Sequence, residues 1–86
     1  MKRYAIELGF ETNFYPPLNR EQKIELWTKY LYVPLRAAVT KSEGNLRIEE
    51  ELTIIGKAII EASEDVAKTL RKSGFKLTAF QVKKAK

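Results

Sequence analysis

The chain predicts an α+β fold with the element order β-α-β-β-α-β. Three observations carry that expectation: an alternating pattern at the start, two stretches of helical spacing, and a turn cluster between alternating arms in the middle. With 86 residues it forms one domain, 1–86, whose stability is on the order of 4–13 kcal/mol. Hydrophobic residues at 44% and charged residues at 31% are ordinary globular values, which sets disorder aside.

The first strand is read from "RYAIELGFE", residues 3–11. Tyr4, Ile6, Leu8 and Phe10 fall on one face and Arg3, Ala5, Glu7, Gly9 and Glu11 on the other, the signature of a half-buried strand. Asn19 then offers an N-cap, with Gln22 as its capping-box partner and Glu21 in the first turn. Ile24, Trp27 and Leu31, with Tyr30 alongside, space a helix that ends before Pro34, because the residue preceding proline disfavours helical angles.

A hairpin is expected over Pro34 to Ile54. "SEGN" at 42–45 is its turn, with Leu35, Ala37 and Val39 alternating on one arm and Leu46, Ile48, Leu52 and Ile54 on the other. On that strand Glu50 shares the core-facing side with Ile48 and Leu52, and is read as reaching solvent at the sheet margin, not as a catalytic group. A second helix is expected from Ile55, burying Ile55, Ile59, Ala62, Val66 and Leu70. Arg71 and Lys72 stand at the negative end of its dipole and Gly74 at a left-handed cap. Phe80 and Val82 supply the last strand, with Phe75 and Leu77 on the approach to it. The competing reading is an α-rich fold with one long helix over 46–73, since Ile48, Leu52, Ile55, Ile59, Ala62, Val66 and Leu70 are also spaced by threes and fours.

This order resembles the ferredoxin-like topology over essentially the whole chain. The resemblance implies a four-stranded antiparallel sheet with two helices on one face and the other face open. The first and third strands are expected side by side and parallel in the middle. Several users of that topology do not fit. An RNA-recognition module needs stacking aromatics on the open faces of its central strands, where this chain has Arg3, Ala5, Glu7, Gly9, Arg47, Glu49, Glu51 and Thr53. The loop "ETNFYPPLN" also lacks an acylphosphatase's glycine-rich phosphate cradle with its arginine, the paired cysteines of a metal-carrying domain, and the Asp and Pro-Gly turn of an ACT-type regulatory domain.

Cysteine and histidine are both absent. Disulfide, thiolate and cysteine-ligated metal chemistry are thereby excluded, along with a Ser-His-Asp triad. No catalytic residue, cofactor or metal ligand is assigned, and a non-enzymatic role is expected. No apolar run reaches the ~20 residues of a membrane span, and the first residues do not read as a secretory signal, so a soluble cytoplasmic protein without a membrane partner is expected. Absent Cys, a single Met and many Lys and Glu residues match the drift of heat-adapted proteins.

Two surfaces are candidates for partners. Lys2, Arg3, Lys83, Lys84 and Lys86 form a basic corner if the last strand runs antiparallel to the first, suited to phosphates of nucleic acid or to an acidic protein. Glu7, Glu49 and Glu51 against Arg3, Arg36 and Arg47 suit a polar homodimer through the open sheet face or an edge strand. In "FETNFYPPLNREQ", Phe14 is read as capping the core while Pro16 and Pro17 stiffen the entry to the helix. The other reading makes Phe14, Tyr15, Pro16 and Pro17 an apolar knob for another chain.

Overall fold

In the computed structural model, which describes residues 1–9 and 16–79, an antiparallel sheet of four strands carries its helices on one face. The elements are β1 (Lys2–Leu8), α1 (Arg20–Trp27), a π turn (Thr28–Tyr32), α2 (Val33–Lys41), β2 (Leu46–Leu52), β3 (Lys57–Ala62), α3 (Glu64–Lys72) and β4 (Phe75–Ala79). The strands are ordered β2-β3-β1-β4. The two central strands, β1 and β3, are antiparallel, with Tyr4 opposite Ile60 and Ala5 opposite Ile59, which corrects the expected parallel pair. The direction follows from chain path: β3 is the return arm of a hairpin whose first arm has already been carried back over the sheet by a helix.

The Asn19 cap forms as expected. Its side chain accepts from the Gln22 backbone N–H at 2.8 Å, and the Gln22 side chain accepts from the Asn19 N–H at 3.0 Å. The helix does not end before Pro34. Both of its internal junctions keep right-handed helical angles, so α1, the π turn and α2 make one unbroken run to Lys41. In a uniform α-helix the Pro34 ring would strike the carbonyl of Tyr30. The π turn opens the ladder just ahead of the proline: Val33 N–H donates to the Thr28 carbonyl, and Pro34 enters the first turn of α2, where its missing N–H is tolerated. Leu35, Ala37 and Val39 are therefore helical, not the first arm of a hairpin. "SEGN" does turn the chain, but from α2 into β2, with Glu43 and Gly44 at positive φ.

The hairpin that does form is β2–β3, closed by the turn 53–56. Lys57–Ala62 alternates along its length, with Ala58, Ile60 and Ala62 fully buried. The expected helix from Ile55 begins only at Glu64, where the Ser63 side chain accepts from the Val66 N–H and two acids follow in the first turn. Neither the early start of that helix nor a single helix over 46–73 is present. Ile55 is 55% exposed and Ile59 lies on the far side of the sheet from the helices. Gly74 takes a positive φ at the end of α3, as expected, and β4 starts at Phe75. Phe80 and Val82 lie outside the described residues, as does the capping role read for Phe14.

The core lies between sheet and helices. Tyr4, Ile6, Leu46, Ala58, Ile60, Ala62 and Leu77 meet Leu31, Tyr32, Leu35, Ala67 and Leu70, with Trp27, Val39 and Val66 at its margin. Tyr32 is the largest fully buried side chain. Its hydroxyl donates to the carbonyls of Leu52 and Lys57 at 3.0 Å each, fastening the helical run to the base of the hairpin.

Candidate interaction surface

The face of the sheet opposite the helices is laid out by strand register. Lys76, Glu7 and Lys57 form one row across three strands, and Arg3, Glu61 and Arg47 form another. Between them runs Thr78, Ala5, Ile59 and Glu50. Each charged row thus reads positive, negative, positive, because opposite charges placed across antiparallel strands attract where like charges would repel. Lys57 pairs with Glu7 at 3.3 Å; Arg3 reaches across β3 to Glu49 at 2.9 Å; and Arg47 bonds both Glu49 and Glu61. The Glu61 carboxyl is held below its ordinary value, first by the hydrogen bond it shares with Glu49 and then by Arg47.

A β-bulge sets which acids of β2 reach this face. The register slips between Ile48 and Glu50, so two residues of β2 stand against one of β3. Glu50 thereby turns to the open face opposite Ile59, and its side chain is exposed, which resolves its expected place among the core residues. The same slip carries Glu51 to the helix side, where Arg36 of α2 donates to it at 2.9 Å. Glu51 is thus absent from the open platform on which it was expected, and Arg36 is a helix residue that never reaches that platform. Glu51 also adds to burial in pushing the Tyr32 hydroxyl above its ordinary value.

The basic corner is partly assembled. β1 and β4 are antiparallel, with Tyr4 opposite Ala79, so the described end of β4 stands at the Lys2 end of β1. Lys83, Lys84 and Lys86 lie outside the described residues. Arg3 is drawn onto the open face by Glu49, leaving Lys2, 3.8 Å from Glu64, as the described member of the expected set at this end. Sequence reasoning missed Lys68 and Arg71 of α3 as its neighbours. With Lys2, Tyr4, Glu64, Ala67 and Ala79 they line a cleft of about 340 Å3, and the Arg71 guanidinium sits 5.6 Å from the centre of the Tyr4 ring. Their spacing of three on an amphipathic helix was the available signal. Pro16 and Pro17 are exposed ahead of the Asn19 cap; Phe14 and Tyr15 lie outside the described residues.

Among the described residues no group of three acidic, His or Cys side chains is placed to hold a metal ion, and no helix is long and apolar enough to cross a membrane. No protein-family model matches the chain, and neither curated proteins nor solved structures provide a match.

Proposed function

We propose that this chain is a small non-enzymatic interaction module of ferredoxin-like topology, working in the cytoplasm and self-associating through its open sheet face. The strand order and the all-antiparallel pairing support the topology. The observation that carries the functional reading is the two-sidedness of the sheet: both helical elements pack on one face, and no described element covers the other. The molecule is a slab, 41 × 37 Å across and 17 Å thick, so that face is a large fraction of its surface. A half-turn about the central row exchanges the two charged rows, which lets the face meet a second copy of itself with Ile59 and Ala5 at the centre, Glu7 over Arg3 and Lys57 over Glu61, and Glu50 facing its own copy at the β2 margin.

Light scattering at high protein concentration and low salt should give twice the chain mass of 9.9 kDa, moving toward one chain as salt rises. Ile59→Asp should remain a monomer throughout. A monomer mass for the unaltered chain under those conditions refutes the reading.

A second reading has its own support in the corner formed by Lys2, Lys68 and Arg71, which line one cleft at the end of β1 where β4 reaches Ala79. There the chain binds phosphates of nucleic acid. Polarisation titrations with labelled duplex and single strands at two salt levels test it, and absence of binding at the lower salt removes it.

A further inference from the structure

A second cleft lies at the opposite end of β1 from the basic corner. Arg20, Lys23 and Trp27 follow one another on α1 at spacings of three and four, which stacks them on one side of the helix. With Ile54 from the β2–β3 turn they line a cleft of about 390 Å3, within the range of small-molecule sites.

Three features meet at this cleft. Arg20 and Lys23, like Lys41, Lys72 and Lys76, have no acidic partner among the described residues, and here the two unpaired cations stand beside an indole. Glu21 and Glu25 of the same helix are exposed and do not line the cleft. Trp27 is held in place: its indole lies so close over Gly56 that a Cβ there would come within 2.3 Å of Cε2. Ile54 is 65% exposed in a tight turn, a position that ordinarily takes Gly, Asn, Asp or Ser. A fixed aromatic ring, an aliphatic wall and two uncompensated cations one helical turn apart are thus gathered around one space.

We propose that this cleft binds a nucleotide unit, with its base against the Trp27 indole and Ile54 and its phosphate on Arg20 and Lys23. The planar, forked guanidinium of Arg20 suits two phosphate oxygens, and the Lys23 ammonium adds a point charge. Indole stacking accepts any base, so the site reads phosphate and ring and not sequence. An acidic peptide satisfies the cations but leaves the ring and the aliphatic wall without a planar partner. The inference stands independently of pairing through the sheet. The same chemistry is offered by a free nucleotide and by a single strand.

Trp27 is the chain's one tryptophan, so its fluorescence reports on the cleft directly. The full chain is titrated with adenosine monophosphate, a short oligothymidylate, inorganic phosphate and polyglutamate. Saturable quenching by the mononucleotide identifies the free nucleotide as sufficient; quenching by the oligomer alone identifies a strand. One neutralised phosphate predicts that affinity for the oligomer falls at least about fivefold for each tenfold rise in salt. The exposed double variant Arg20→Ala/Lys23→Ala should weaken binding about tenfold or more, while Lys41→Ala, an exposed cation in the last turn of α2 and outside both clefts, leaves Trp27 quenching unchanged. Circular dichroism confirms that each variant is folded. No quenching by either nucleotide ligand at low salt, equal quenching by polyglutamate, or quenching indifferent to the Arg20/Lys23 change overturns the proposal.

Discussion

Gly56→Ala should be among the most damaging single-atom-scale changes available to this protein, and Gly44→Ala is its built-in control. Both glycines have positive φ, +67° for Gly56 and +90° for Gly44. Alanine in left-handed backbone costs roughly 1–2 kcal/mol at either site, and the accompanying loss of freedom in the unfolded chain is common to both. The sites differ in what a new methyl group meets. At Gly44 nothing lies within 4 Å; at Gly56 the methyl falls 2.3 Å from Trp27 Cε2 and 2.6 Å from Cδ2 and Nε1. The indole is a rigid bicycle packed at the edge of the core, so it moves as a whole or the turn does, at about 1–3 kcal/mol of overpacking. Gly44→Ala should therefore lose about 1–2 kcal/mol and Gly56→Ala about 2–5 kcal/mol. Each kcal/mol lowers the melting temperature of a domain this size by about 4–8 °C. Thermal melts followed by circular dichroism measure the gap, and Trp27 emission should shift to the red in Gly56→Ala only. Two variants that melt together with unchanged emission refute the packing of Trp27 on Gly56.

Tyr32→Phe removes the hydroxyl that two hairpin carbonyls share and should cost about 1–2 kcal/mol at neutral pH, read from urea midpoints. Burial and then Glu51 raise the Tyr32 hydroxyl above its ordinary 10.0, so its contribution is full below that pH and is lost as pH rises through the folded value. The gap between wild type and Tyr32→Phe should accordingly narrow above pH 10; a constant gap contradicts the assignment. The Glu61 carboxyl has the opposite sign: held below its ordinary 4.5, it contributes above that pH and loses the contribution as pH falls through the folded value. Urea midpoints measured from neutral pH into this acid range should show a shallower decline for Glu61→Gln than for the wild type, and parallel declines would count against the network.

Local chemistry announced itself where one signal acted alone. The alternation of Tyr4, Ile6 and Leu8 gave β1, and Asn19 with Gln22 gave the start of the helical run. The α+β class survived, but the first arm expected for the hairpin is helical, the first half of the expected second helix is β3, and the last strand begins at Phe75. Pro34 misled because a proline is compatible with helix once the preceding turn widens, and that widening depends on main-chain bonds that residue types do not advertise. Residues 57–62 misled for another reason. Ile55, Ile59, Ala62, Val66 and Leu70 fit a helical period, but Ala58, Ile60 and Ala62 fit a strand period equally well. Ser63-Glu64-Asp65 was the deciding mark, an N-cap with two acids set in what was read as mid-helix. On the candidate surface, Arg3, Glu7, Arg47 and Glu49 were placed on the open face correctly. Glu51 was lost because one slipped residue inverts every side chain after it.

The bulge in β2 has a consequence for how this protein behaves when it is overexpressed or partly unfolded. A sheet with two free margins can recruit strands from other molecules at both, which is how fibrillar aggregates grow. Here one margin is kinked at Ile48–Glu50 and studded with Arg47, Glu49, Glu50 and Glu51, a poor template for a further strand. The other, β4, carries Lys76 as the one charge in its five residues. Among the described residues no strand pairs with the outer edge of β4, so strand addition is expected on that side, and Thr78→Lys should suppress it.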